Sequence, residues 1–447
     1  MRPWSFGAFT ADITGLSLGT TNHVRAFAVN AAGTVYGDNV TFTTTAGGGG
    51  GNPPPTPDPD PDPAPDPGPV VENIDGVDVT ITIDEDAAGH KHISMDIPII
   101  PPNHDGGDDP DLALIPIAYA DDQREDCVAQ IGLPVSVGAK VSGGLAPFQA
   151  GDSLNDLLRL IDETAGETEP DKPLMLAGAA EFLRGLAEAD GVTVTKIELV
   201  TDSDVPPENP IVLKGTPSAP GTPAQVMIID ATALPPGSVI ELEDVEFAVI
   251  IGDGIVIRGG SGTNILFAGD GTQDIFLGAD DDELHGGAGD DVIGSLGGND
   301  RLFGNAGNDV LYSDQGRNLL HGGLDTDTAR FAGVMAEYEI VQDHAVVTVR
   351  SLMDPEHVNT LVNMERMEFV DQTVDITYEP HLDMIAALYV QALGRQPDLE
   401  GFQYWAGLYS QGIPAGSIVL HLLLSDEAGE RGVVMEPGDP AAIIAMF

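Results

Sequence analysis

Apolar positions change their period several times along the chain, and each change marks a different kind of element. FTADIT from residue 9, HVRAFAVN from residue 23 and VTFTT from residue 40 read as short strands with turn residues between them. From residue 70, VDVTITID and HISMDIPI alternate apolar with polar positions like half-buried strands, and PVSVGAKV and VTVTKIELV continue the pattern. Leu154, Leu157, Leu158 and Ile161 share one helical face behind Asp152 or Ser153 as a cap. A second helix is predicted from about Pro173 to Asp190, carrying Phe182, Leu183 and Leu186. Residues 226–258 return to strands that end in turns, and YEIVQ, AVVTV and NTLVNMERMEFVDQTVDI do the same after residue 330. Residues 381–426 shift to helical spacing, with Ile385, Leu388, Tyr389 and Ala392 on one face.

Between the two strand-rich segments a stricter rule holds. Eight units of nine residues run from Gly259 to Arg330: GGSGTNILF, AGDGTQDIF, LGADDDELH, GGAGDDVIG, SLGGNDRLF, GNAGNDVLY, SDQGRNLLH and GGLDTDTAR. Position eight holds Leu266, Ile275, Leu284, Ile293, Leu302, Leu311, Leu320 and Ala329, so each unit buries one side chain with one short strand. The first six positions must bend sharply, which glycine permits by tolerating positive φ and letting carbonyls approach an ion. Two units then make a coil of 18 residues, and units n and n+2 stack about 4.8 Å apart. Position six holds Asn264, Gln273, Asp282, Asp291, Asp300, Asp309, Asn318 and Asp327. Stacking sets Asp282 over Asp300, Asp291 over Asp309 and Asp309 over Asp327. Only Asp309 then has an aspartate on both sides, and Asp327 ends its column. Aligned carboxylates repel unless a cation lies between them, and a hard cation held by carboxylate and backbone oxygens at flexible coordination is calcium rather than magnesium.

These units resemble the RTX nonapeptide GGxGxDxUx of bacterial proteins. The resemblance implies a parallel β-roll with each calcium ion between adjacent loops, held by the aspartates and loop carbonyls. The metal residues it points to are Asp282, Asp291, Asp300, Asp309, Asp327, Asn264 and Asn318, with loop glycines Gly260, Gly262, Gly287, Gly289, Gly298 and Gly307. The pattern departs at Asp280 and Asp325 in position four and at Leu296, Asn305 and Asp314 in position two. His285 and His321 both occupy position nine with Phe303 between them, roughly 9.6 Å apart by strand spacing. That is too far for one tetrahedral zinc ion, so both are expected at the surface.

Two further resemblances frame the repeats. GLSLGTTNHVRAFAVNAAGTVYG resembles the second half of a bacterial fibronectin type III domain, a partial β-sandwich whose missing strands suggest a truncated start. ALYVQALGRQPDLEGFQYW, followed by a helix ending in SDE, resembles a bacterial helical domain of unknown function, similar in pattern to phycobilisome-linker domains and found in secreted RTX proteins. Arg395 and Asp398 within it are expected to be structural.

The predicted architecture is therefore multidomain and mainly β. It comprises a fibronectin-like piece (1–45), a Gly/Pro/Asp linker (46–69), a mixed α+β module (70–225), a leading cap (226–258), the β-roll (259–330), a strand-rich trailing cap (331–379), a small helical bundle (380–432) and a tail (433–447). The linker, AGGGGGNPPPTPDPDPDPAPDPGP, combines flexible glycines with a stiffer Pro-Asp run.

Charge narrows the partners. Lys plus Arg number 18 against 72 Asp plus Glu, a net −54, which repels nucleic acid and anionic membranes and favours cations. A single cysteine, Cys127, excludes an intramolecular disulfide framework, leaving metal as the staple for a protein outside the cell. No apolar run approaches membrane-spanning length, and the first residues, MRPWSFGAFTADITG, hold no apolar core of signal-peptide length, so export is expected to use another route. The last residues, EPGDPAAIIAMF, are similar to some type I export signals. The expectation is a secreted or cell-surface calcium-binding protein, structural or adhesive rather than enzymatic, with a cell-surface or matrix partner. The alternative is a hydrolase or toxin with its active part in 70–225 or upstream of Met1. GDSL at 151–154, GGND at 297–300 and DPEH at 354–357 echo a GDSL-type esterase with Ser153 as nucleophile, Asn299 as oxyanion donor, and Asp354 and His357 completing the triad. Ser153 lacks the preceding buried strand and Asn299 lies inside the repeat, which disfavours that reading.

Overall fold

The computed structural model describes residues 21–30, 33–43, 68–85, 91–104, 111–119, 127–144, 148–186, 191–217, 222–343, 346–377, 385, 389, 393 and 399–425. The linker from 46 to 67, strand 9–14, Arg395, Asp398 and the tail lie outside them. Near the start, Thr21–Asn30 and Gly33–Thr43 form an antiparallel pair.

Among the described residues two large sheets, of 15 and 11 strands, face each other across one core. Each nine-residue unit adds one strand, alternately to one sheet and the other. Leu266, Leu284, Leu302 and Leu320 are parallel partners in the larger sheet, and Ile275, Ile293, Leu311 and Ala329 in the smaller. All eight are fully buried. The apolar column expected at position eight is thus the wall of a parallel β-roll.

The coil begins well before the first repeat. Gly191–Thr201, Ala224–Asp230 and Phe247–Ile251 are parallel neighbours leading to Ile265–Ala268, while Ile211–Lys214, Val239–Glu243 and Val256–Gly259 lead to Asp274–Leu277. Strands of 70–225 and of 226–258 therefore lie in the same two sheets as the repeats, with no break in either. Antiparallel strands finish both ends. Val137–Gly144, Lys91–Ile97, Val77–Glu85 and Val70–Ile74 extend the larger sheet at its leading end, and Cys127–Pro134 and Leu112–Tyr119 the smaller. At the trailing end Val358–Val362 and Arg366–Glu368 stack in parallel on the last repeats, then pair with antiparallel neighbours. Such terminators turn the open edge of a coil into a finished one.

Helices α1 (Ala150–Ala165) and α2 (Lys172–Gly185) lie on the outer face of the larger sheet. There Leu157, Ile161, Met175 and Leu183 bury against Val192, Val226, Phe247 and Phe267. Helix α1 starts before Ser153, so Asp152 and Ser153 lie within its first turn rather than capping it. At the trailing end α3 (Leu399–Ser410) and α4 (Ala415–Leu423), with Ile385, Tyr389 and Leu393, pack on Val346 and Val362 of the same sheet.

Those two helical groups change the environment of position nine. Phe182, Phe247, Phe267, His285, Phe303, His321 and Phe402 form one ladder of rings, with successive centroids 4.2 to 6.0 Å apart. His285 and His321 are buried, not at the surface, because helices cover the face that strand alternation alone would give to water. Neither ring nitrogen of His321 finds a partner outside its own residue, and burial lowers its pKa to about 3.

Candidate metal centre

The position-six side chains form two buried columns, one on each edge of the roll. Every one is at most 2 % exposed, which is exceptional for carboxylates without cationic partners. One oxygen of each carboxyl has a fixed task. Oδ1 accepts the backbone N–H of the residue 18 positions earlier: that of Asp282 accepts from Asn264 (2.8 Å), that of Asp300 from Asp282 (3.0 Å), that of Asp291 from Gln273 (2.8 Å), that of Asp309 from Asp291 (2.8 Å) and that of Asp327 from Asp309 (2.9 Å). Asn318 does the same with its amide oxygen for Asp300 at 2.9 Å. The ladder fixes the register that the sequence implied.

The second oxygen has no part in that ladder. Oδ2 of Asp282, Asp291, Asp300, Asp309 and Asp327 is buried without a hydrogen-bond partner, as are Oδ1 of Asn264 and Oε1 of Gln273. Burial is the largest cause pushing these carboxyls up, to about 7 for Asp282, 8 for Asp291, 6 for Asp300, 7 for Asp309 and 9 for Asp327. Donated N–H groups oppose the rise, and neighbouring aspartates add to it. A row of buried acceptor oxygens without donors is suited to a cation.

The loops supply further oxygens. Gly262, Gly289, Gly298 and Gly307 at position four have φ of +97°, +134°, +107° and +131°, and Gly287 at position two has +99°. A β-carbon on Gly289, Gly298 or Gly307 would strike the carbonyl of Gly271, Asp280 or Gly289 in the coil below, and one on Gly287 would lie 2.6 Å from the carbonyls of Ala268 and Gly269. Gly260 is not left-handed, but its carbonyl occupies the space where a β-carbon on Gly278 would go. Asn305 and Asp325 take the left-handed conformation at φ of 77° and 75°, which Asn and Asp tolerate best after glycine. The roll accommodates these departures. Among the described residues no three His, Cys, Asp or Glu side chains converge on one point, so an ion here must draw on main-chain carbonyls as well as carboxylates. That mixed oxygen set fits a hard cation of high coordination number.

Residues 258–293, 267–302 and 294–329 match the RTX calcium-binding nonapeptide repeat (4 copies). The nine-residue units are RTX repeats, and calcium is the ion such repeats bind. Residues 373–431 match a domain of unknown function (DUF4214). No curated protein and no solved structure matches the chain.

Three features of the columns escaped the sequence. Asp327 does not end its column, because its N–H donates to Glu365 Oε2 at 2.7 Å across 38 residues of chain. Asn359 likewise follows Asn318, accepting its Nδ2 at 3.1 Å. A second, exposed ladder runs at position five, where Asp281 accepts the backbone and side-chain N–H groups of Asn299, and Asp290 those of Asn308. Recurrence of Asp and Asn at position five was its visible signal.

The esterase residues are dispersed. Helix α1, with Ser153, packs on strands up to Phe247–Ile251, whereas Asp354 and His357 share a turn leading into Val358–Val362. Four strands intervene in the sheet, roughly 24 Å at the usual spacing. Asn299 is committed to Asp281.

Proposed function

We propose that this is an exported, extracellular or cell-surface protein whose roll folds when it meets calcium, serving as a structural or adhesive component rather than a catalyst. The observation that carries the reading is the row of five buried carboxylates, each with one oxygen spent on the coil ladder and one left over. Asp282, Asp291, Asp300, Asp309 and Asp327 hold the ions through Oδ2, Asn264 and Asn318 complete the weaker coils, and glycine-loop carbonyls fill the remaining positions. Glu365 serves the last site.

Calcium neutralises the columns and lets the coils close. Each carboxyl held near 7 instead of its usual value corresponds to about 4 kcal/mol against folding in its charged form. Five such groups share one core, a load comparable with the net stability of an ordinary domain, roughly 5–15 kcal/mol. Without calcium at neutral pH the roll is therefore unfolded and can be threaded for export, a route suited to a type I system. Outside, where calcium is millimolar, it folds without disulfides. No helix among the described residues is long and apolar enough to cross a membrane. The partner in this reading is a cell-surface or matrix molecule. Limited proteolysis tests the switch: residues 259–330 should be cut rapidly in chelator and resist in millimolar calcium, and equal cutting in both would refute it.

A further inference from the structure

The loop between α1 and α2 brings two acidic side chains against the roll. Glu169 and Asp171 are 9 % and 7 % exposed. Glu169 Oε2 accepts the N–H of Asp270 in the second repeat at 3.0 Å, and its Oε1 faces the N–H of Asp171 at 3.3 Å. Asp171 Oδ2 is buried with no partner. The neighbouring cation does not help, since Lys172 turns away to Asp162 at 2.8 Å. Among the described residues neither Glu169 nor Asp171 has an ion pair.

The same loop meets the roll where its column is weakest. Position six of the second repeat is Gln273, whose Nε2 is spent on the Gly252 carbonyl at 2.7 Å and which brings no charge. One coil on, Asp291 has its Oδ2 free, and the charge of Asp171 is felt there and at Asp309. The backbone is shaped to admit the loop: a β-carbon on Gly269 would stand 2.9 Å from Glu169 Oε2. Asp171 Oδ2 is thus the buried oxygen of this loop without a donor, and such an oxygen either keeps a proton or meets a cation.

We propose that Glu169 and Asp171 supply the carboxylates that the second repeat lacks, forming with the Gly269–Asp270 turn a hybrid calcium site that clamps the helical hairpin to the roll. It draws two carboxylates from outside the repeats and the rest of its oxygens from the turn, the mixed set calcium accepts. The inference rests on the roll itself being calcium-loaded. It gives α1 and α2 a calcium-dependent seat and makes docking of the hairpin part of the same switch.

The test uses the full chain with Asp171→Asn and Glu169→Gln, substitutions that keep shape while removing charge. Calcium stoichiometry is measured by equilibrium dialysis, and amide hydrogen exchange is followed over residues 154–186 in millimolar calcium. Each variant should bind one ion fewer than wild type, and hairpin amides should exchange about tenfold faster, the stabilisation expected of one site at ten times its dissociation constant. The calcium-induced ellipticity of the roll should persist in both. Unchanged stoichiometry and exchange would mean that Asp171 is held as a neutral acid, and would overturn the proposal. So would loss of the whole roll's calcium response, since the clamp is confined to the hairpin. A wild-type roll that ignores calcium would overturn this inference and the reading beneath it.

Discussion

Replacing single aspartates by asparagine isolates charge from the coil ladder, because asparagine retains the Oδ1 acceptor, as Asn318 already does for Asp300. The columns contain four places where acid faces acid: Asp282–Asp300, Asp291–Asp309, Asp309–Asp327 and Asp327–Glu365. Asp309→Asn and Asp327→Asn each disable two of them, whereas Asp282→Asn and Glu365→Gln each disable one. If folding draws on four equal sites with a midpoint near their dissociation constant, each site supplies a binding factor of about two. Losing two sites squares the factor required of the rest, so the calcium midpoint rises about threefold. Losing one raises it about 1.5-fold by the same relation. Titration of calcium into the full chain, followed by far-ultraviolet ellipticity, reads these shifts. Equal midpoints for Asp309→Asn and Asp282→Asn would refute the stacking order, and an Asp327→Asn midpoint matching Asp282→Asn would remove Glu365 from the column.

Three other outcomes follow from the packing and charge. Folded carboxyls pushed up to about 6–9 bind more protons than unfolded ones, so without calcium stability is greatest below the ordinary carboxylate range and is lost as pH rises through 6–9; calcium-free protein should gain ellipticity between pH 8 and 5, and a flat profile would contradict this. His321→Phe should raise the thermal midpoint in calcium, removing two buried unpaired nitrogens at about 1–3 kcal/mol, and a lowered midpoint would show that the imidazole serves the ladder. A 226–379 fragment should aggregate in calcium by size exclusion, because it cuts the strand Ala224–Asp230, loses its neighbour Gly191–Thr201 and strips the helices from Phe247 and Phe267; a folded monomer would show that the repeats stand alone.

What the sequence revealed depended on whether period survived. Inside the repeats a strict period of nine placed both the Leu266 and the Ile275 columns and the stacking of Asp291 on Asp309. Before Gly259 the coil is irregular: Val226 pairs with Phe247 across 21 residues, while Val239 pairs with Val256 across 17. No single spacing marks those coils, and their strands read as a separate module and cap. After Arg330 the antiparallel pair Tyr338–Asp343 and Val346–Ser351 is inserted before the coil resumes, which hid Glu365. The histidines depart from the sequence expectation for another reason. Strand alternation gives the face on which a side chain lies, but only the packing of distant helices decides whether that face meets water. Nothing local in the α1–α2 loop announced that Glu169 would reach Asp270.

Circular dichroism of the full chain in chelator, in millimolar magnesium and in millimolar calcium tests the central claim most directly. The paired carboxylate and carbonyl oxygens predict a cooperative gain of β-sheet signal in calcium, with little change in magnesium, which holds its water and demands octahedral geometry. Spectra that coincide in chelator and in calcium would contradict a roll folded by its ions.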